Sequence, residues 1–200
     1  LPEFRGDCFD VHPPRLPEAT PVASHATSDG SRIIRHHMAL SLATCNVGSL
    51  FVGPEGYGGK LAYLRTQMKA FQLNMLGIQE ARSPAGMSVT DGIIRLASGC
   101  AQGQHGVELW VNTTHPIAHN GSSPCFIKKS HLQVVHSDPR RIVVRLAHPC
   151  LDCHVCVFHA PQSGRPLQER RAWWDETSRI LQSYASEHSL YVLLDANAKT

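Results

Sequence analysis

Long hydrophobic runs are missing from this chain. No stretch approaches the roughly 18 to 20 apolar residues that cross a bilayer as a helix, so a membrane-embedded role is not expected of these 200 residues. The first residues, LPEFRGDCFDVHPP, have neither a charged leader nor an apolar core, and no initiator Met stands there. The expectation is a piece of a longer, intracellular chain. A strong charge excess is lacking too. Charged residues make up 18% and the net charge is +3, which permits an anionic partner without demanding one. No internal repeat is present, which excludes a solenoid or propeller. Cysteine is not scarce, but seven is an odd count in a chain without a secretory signal, and reads as reduced thiols rather than a disulfide framework.

What is present begins at Met38. Residues 1–37 hold five prolines among many polar residues and no sustained apolar period, and read as a disordered or linker segment. Residues 38–46 (MALSLATCN) alternate as a strand, with Leu40, Leu42 and Thr44 on one side. The glycine-rich loop VGSLFVGPEGYGG follows. Residues 60–73 then place Leu61, Leu64, Met68 and Phe71 at helical spacing. An apolar run from Met75 to Ile78 leads to Gln79-Glu80. Further strands are predicted at 92–97, 106–111, 131–136, 141–147 and 153–159, with a tight hairpin at Asp138-Pro139. Pro166 suits the first turn of a second helix reaching about Ser186, with Leu167, Trp174, Leu181 and Tyr184 inward. A last strand, 190–194, delivers Asp195. This order of strand, helix, several strands, helix, strand predicts a mixed α/β fold with helices outside largely antiparallel sheets.

Asn46, Glu80, His159 and the pair Asp195/Asn197 each follow an apolar run of four to seven residues. Taken singly, each is an ordinary turn residue or cap. Together they put an amide, two carboxylates and an imidazole at strand ends, which converge on one pocket when strands share an open edge. The set suits a hard divalent cation such as Mg²⁺, which takes few protein oxygens and keeps water and phosphate oxygens in its shell. Glu80 with Asn46 supplies that minimal site. Asp195 orients or deprotonates a water, and Asn197 donates to the charge developing on phosphorus. The chemistry so described is metal-assisted phosphodiester hydrolysis.

The stretches ATCNVGSL, LGIQEAR, HGVELWV, VFHAPQSGR and LLDANA occur in this order across residues 38–200. The sequence thereby resembles the endonuclease/exonuclease/phosphatase superfamily, and within it the apurinic-type endonuclease domains of non-LTR retrotransposons. The resemblance implies a four-layered α/β sandwich of two packed sheets with outer helices. It implies Mg²⁺ or Mn²⁺ as cofactor and DNA as partner. It further implies a reverse transcriptase domain in the parent polyprotein, and the nucleus as the parent's place of action. By position it makes Glu80 the metal-binding glutamate, Asn46 the asparagine beside the metal and His159 a group near the scissile phosphate. Asp195 and Asn197 become the D-x-N pair that activates water and stabilises the transition state, and Arg165 a DNA contact.

Two departures from the pattern stand out. Gly48 lies where some apurinic enzymes place a second metal-coordinating aspartate, which leans towards the retrotransposon branch. The family's closing S-D-H segment is absent, since Ser137-Asp138 is followed by Pro139 and lies too early. The expectation is therefore a C-terminally truncated domain with the second half of its sandwich incomplete and little activity alone. A phosphatase or deadenylase of the same superfamily, and a non-catalytic mobile-element remnant, are the alternatives.

Three other features read as ordinary structure. HPCLDCHVCVFH carries Cys-x-x-Cys spacing, but a three-residue step along a strand sends Cys153 and Cys156 to opposite faces, against a zinc site. Of Trp173 and Trp174, one reads as core and the other as half-buried. Lys128-Lys129 and Arg140-Arg141 read as solvated surface that touches phosphate at most non-specifically.

Overall fold

The computed structural model describes residues 37–50, 57–120, 122–185 and 188–197. The linker expected over 1–37 lies outside the described residues except at its last position, where the first strand begins. In chain order the elements are β1 (His37–Met38), β2 (Leu42–Asn46), α1 (Tyr57–Ala70), β3 (Met75–Gln79), β4 (Gly86–Thr90), β5 (Ile93–Ala97) and β6 (Val107–Asn112). There follow β7 (Ala118–Asn120), β8 (Ser123–Cys125), a 3₁₀ turn (Lys129–His131), β9 (Leu132–Asp138), β10 (Arg141–His148), β11 (Leu151–His159), α2 (Leu167–Ala185) and β12 (Ser189–Asp195).

The strands form a five-stranded sheet in the order β2-β3-β6-β5-β4, a four-stranded sheet in the order β12-β11-β10-β9, and a small sheet β1-β7-β8. Two pairings are parallel, β2 with β3 and β11 with β12; the rest are antiparallel. The two large sheets face each other across one core. Met75, Ile94, Leu96, Leu109 and Val111 of the first meet Ile142, Val144, Leu146, Val155, Val157 and Leu193 of the second. On the outer face of the five-stranded sheet, Leu61, Leu64 and Met68 of α1 pack on Leu76, Ile78, Ile93 and Trp110. On the outer face of the other, Trp173 and Ile180 of α2 pack on Val143, Cys156 and Phe158. The layers run helix, sheet, sheet, helix: the four-layered α/β sandwich expected from sequence.

A strand covered on both faces loses its polar alternation, and this is why MLGIQ in β3 is buried at every position and β11 from Cys153 to His159 is too. At Gly77 the two sheets approach closely. A Cβ there would lie 2.8 Å from Cβ of Leu193 and 3.2 Å from Val157 Cγ1, so the crossing of β3 over β12 requires the residue without a side chain. Cys153 and Cys156 do point apart, into the inter-sheet core and towards α2 respectively. Burial pushes each thiol up to about 12, and neither behaves as a thiolate ligand at neutral pH.

Three expectations are corrected. Phe71 lies one residue past the end of α1 and is 49% exposed, because the chain turns at Phe71-Gln72 before entering β3. The inward face of α2 is Trp173, Thr177 and Ile180, one position away from the predicted stripe, so Leu167 and Trp174 are exposed and Leu181 and Tyr184 only flank the cluster. The single strand expected over 38–46 is split at Ala39–Ser41, where Ala39 N–H donates to the Ile117 carbonyl and Ser41 N–H donates to Asn74 Oδ1.

Candidate active site

Parallel pairing aligns strand ends. In the first sheet Asn46 sits beside Gln79, the residue before Glu80; in the second His159 sits beside Asp195. All four strands, β2, β3, β11 and β12, therefore finish at one end of the sandwich, the place where open α/β sheets gather their ligands. Gln79 ties the two sheets together there. It is fully buried, and its amide nitrogen donates to Thr44 Oγ1 at 2.8 Å and to the Leu193 carbonyl at 3.4 Å.

Asn46 is the meeting point. Its Nδ2 donates to Asp195 Oδ2 at 2.7 Å and to Glu80 Oε1 at 3.2 Å, while its Oδ1 accepts the Gly48 backbone N–H at 2.9 Å. One amide thus separates two carboxylates brought from two different sheets. Asp195 uses its other oxygen to accept the Asn197 backbone N–H at 3.0 Å, and Asn197 Nδ2 donates to the Ala160 carbonyl at 2.7 Å. Both Glu80 (φ 54°) and Asn197 (φ 47°) are left-handed. Asparagine visits that region readily, but for Glu80 it costs roughly 1 kcal/mol or more, and such backbone strain concentrates where a side chain must be aimed.

His159 is buried beneath the carboxylates. Its Nε2 lies 3.6 Å from Glu80 Oε1 and 4.0 Å from Asp195 Oδ2, and neither ring nitrogen has a hydrogen-bond partner among the described residues. Burial, then the Arg140 guanidinium, holds its pKa below the usual imidazole range against the pull of Glu80 and Asp195. The neutral ring therefore leaves an unshared nitrogen facing two carboxylates.

Beside this group opens a cleft of about 320 Å³ lined by Glu80, Arg82, Gln104, His105, Arg140, His159, Gln162 and Arg165. Three arginines and two histidines share this lining with one carboxylate. Arg82 Nη2 stands 3.5 Å from Glu80 Oε2, and Arg165 is held by Glu169 one helical turn on, Nη2 to Oε2 at 2.9 Å. The walls are joined by backbone. Arg82 N–H donates to the His105 carbonyl, Ala81 N–H to the Gly106 carbonyl, and Gly106 N–H to the Pro139 carbonyl. At Gly106 (φ 83°) a side chain would be strained, and its Cβ would crowd Arg82 N at 3.1 Å.

The structure brings together Asn46, Glu80, His159, Asp195 and Asn197, and sets Arg165 at the rim. Arg140, His105 and Arg82 were not singled out as site residues from sequence. Arg140 corrects the surface reading of Arg140-Arg141. The predicted turn at Asp138-Pro139 is present and folds Arg140 back over the end of β11. Arg141 is 9% exposed, ion-paired with Asp138 at 3.0 Å and seated 5.4 Å over the Trp173 ring. His105 follows no apolar run, so no strand-end signal marked it.

For a hard cation the site offers the carboxylate oxygens of Glu80 and Asp195, which here share the Asn46 Nδ2 donor. Among the described residues no ready-made cluster of three or more His, Cys, Asp or Glu ligands is assembled. A donor set of few carboxylate oxygens suits Mg²⁺, which completes its shell with water and phosphate oxygens. Asn46 turns its nitrogen to the carboxylates and its Oδ1 to the Gly48 N–H, so ligation of an ion shared with Glu80 requires the amide to turn over.

No family model matches the sequence, and no curated protein does. Solved structures do match in fold. The endonuclease domain of TRAS1, a telomere-specific non-LTR retrotransposon, superimposes with a TM-score of 0.53 and 14% identity over 81% of this chain and 61% of its own. The 3′ phosphatase NExo from Neisseria, bound to a product DNA hairpin, gives 0.54 and 13% over 80% and 58%. The AP endonuclease LMAP from Leishmania major gives 0.50 and 18% over 82% and 52%. The chain spans roughly three fifths or less of the length of these structures. It shares its fold with these three enzymes, the endonuclease domain of a non-LTR retrotransposon among them.

Proposed function

We propose that the site serves metal-dependent hydrolysis of phosphodiesters in DNA. One observation carries the reading: Glu80 and Asp195, from separate sheets, meet across the Asn46 amide beside a cleft walled by Arg82, Arg140 and Arg165. A divalent ion, Mg²⁺ or Mn²⁺, bound at Glu80 would polarise a phosphoryl oxygen and neutralise charge building on it. Asp195, held by the Asn46 side chain and the Asn197 N–H, orients a water and accepts its proton. Asn197 presents an amide fixed by the Ala160 carbonyl to the phosphoryl oxygens. The neutral His159 ring faces the same group and completes the polar floor. Arg165 at the rim contacts the strand.

DNA is the substrate that the fold neighbours favour, since the TRAS1 domain is an endonuclease and NExo was captured with product DNA. The same resemblance underlies the further proposals: a retrotransposon parent with a reverse transcriptase domain, acting in the nucleus. The reaction is that of the whole protein. The 200-residue chain, which spans about three fifths or less of the solved structures it matches, is proposed to be a weak enzyme by itself.

Supercoiled plasmid with Mg²⁺ or Mn²⁺ tests this. The expected result is slow nicking by the 200-residue chain, lost with EDTA and lowered at least about a hundredfold in Asp195→Asn and Glu80→Gln. Nicking that survives both substitutions would overturn the site. Robust nicking that disappears in Glu80→Gln would leave the site standing and overturn the weakness.

A further inference from the structure

Arg140 differs from the other cations of the cleft. Arg82 faces Glu80, and Arg165 is neutralised by Glu169. No carboxylate of the described residues lies within ion-pairing distance of the Arg140 guanidinium. Asp138, two residues before it, is spent on the Arg140 backbone N–H, on Arg141 and on His136. Glu169, Glu80 and Asp138 act on it only from beyond contact, and a half-buried cation with no carboxylate against it is a candidate to hold an anionic ligand.

The guanidinium is also braced. Nη1 donates to the His159 carbonyl at 3.3 Å and to the Ala160 carbonyl at 3.2 Å, and Nη2 contacts His105 Nε2 at 3.2 Å. The His159 amide returns a bond to the Arg140 carbonyl at 2.9 Å. Of the five N–H groups of an arginine, these contacts occupy three. Nε–H and one Nη2–H have no acceptor among the described residues. His159 is the last residue of β11 and Ala160, the next, also accepts from the Asn197 side chain, so the cation is locked to the floor of the site.

We infer that Arg140, braced by the His159 and Ala160 carbonyls and by His105, is a binding point for a backbone phosphate of the nucleic-acid strand, beside the carboxylate pair. The class of ligand follows from the donors. Two free N–H groups on a fixed planar cation match two oxygens of a phosphodiester, and the open cleft admits a chain, where an enclosed cavity would take only a small anion. The inference deepens the proposed function and rests on it for the identity of the strand. In this role Arg140 positions substrate. Lysine would not replace it, because one ammonium cannot hold two carbonyls and an imidazole and still present a fork to phosphate.

The test is equilibrium binding without turnover. A fluorescent duplex is titrated with the 200-residue chain in EDTA at several salt concentrations, and its anisotropy is read. Arg140→Ala and Arg140→Lys are expected to weaken binding roughly tenfold or more, and Arg140→Ala to lower the slope of log K against log salt by about one. Duplexes carrying one neutral methylphosphonate at successive positions then locate the contact. One position should weaken wild type and leave Arg140→Ala indifferent. Arg140→Gln, which keeps an N–H donor for the carbonyls but no charge, guards against misfolding, and should melt like wild type while binding like Arg140→Ala. Unchanged affinity and salt slope in folded Arg140→Gln would overturn the inference, as would a methylphosphonate series in which no position loses its effect. Inorganic phosphate broadened in its ³¹P spectrum only by wild type, with no such position found, would mark a free-anion site and overturn the nucleic-acid assignment. Because no metal or hydrolysis is involved, binding through Arg140 without nicking refutes the hydrolase reading alone, and nicking indifferent to Arg140 refutes only the phosphate contact.

Discussion

At the scale of single residues, the site depends on what separates its two carboxylates. The Asn46 amide donates to both, and takes its own alignment from the Gly48 N–H. Replacing it with aspartate keeps the shape and reverses the electrostatics, putting three carboxylates in one place with no donor among them. Like charges in contact disfavour ionisation. Asn46→Asp should therefore lose about 1–2 kcal/mol of stability in EDTA at pH 7, discounted from the worth of two charge-assisted hydrogen bonds because the site is partly solvated. Mg²⁺ should restore more stability to the variant than to wild type. Urea melts in EDTA and in Mg²⁺ measure both. A variant as stable as wild type in EDTA would show that the carboxylates do not crowd as described.

At the scale of elements, the same reasoning separates two adjacent tryptophans. Trp173 is 6% exposed, meets the Phe158 ring edge-on at 6.5 Å and carries the Arg141 guanidinium over its face. Trp174 is 42% exposed. Trp173→Ala should cost about 3–5 kcal/mol, the usual consequence of emptying a large aromatic site, and Trp174→Ala less than about 1 kcal/mol. Equal effects in chemical denaturation would mean that α2 is rotated from the arrangement given. This helix also shows what a sequence discloses and what it withholds. Its existence and start were legible from Pro166, but its inward face was not, since Leu167, Trp174 and Leu181 make as good an apolar stripe as Trp173 and Ile180. Only contact with Phe158 and Val143 decides between them. The strand ends carrying Asn46, Glu80, His159 and Asp195 were legible because burial on both faces writes continuous apolar runs that stop at a polar residue. β4, GMSVT, was not, being exposed at all five positions and lacking any burial signal. Arg140 and His105 were invisible for a related reason. They reach the site from loops, and nothing in a loop's composition says which way it folds back.

At the scale of the whole molecule, four histidines share one direction of shift. His105, His131, His148 and His159 all have pKa values lowered from the ordinary 6.5, with burial the first cause in each. They sit in separate places. His105 and His159 lie at the cleft, while His131 and His148 meet edge-on, centroids 4.7 Å apart, beyond the far end of the β9–β10 ladder. There Nδ1 of each accepts a backbone N–H, from Lys128 and Cys150, which holds the neutral ring in place. The sign follows from proton counting. Above pH 7 all four are neutral folded or unfolded and contribute no pH dependence. As pH falls through 6.5 the unfolded chain takes up protons that the folded chain resists, so the unfolded state binds more and stability falls. The loss begins near pH 6.5 and continues downward until the depressed folded values are reached. Tm should therefore drop between pH 7.5 and pH 5.5 by at least about 2 °C, the size of a 1 kcal/mol change in a chain of this length. His131→Gln and His148→Gln, which keep a side-chain oxygen near the Lys128 and Cys150 amides, should each remove part of that slope. Thermal melts across this range decide the matter: a Tm that is flat, or that rises on acidification, would mean that these rings are not held neutral by burial.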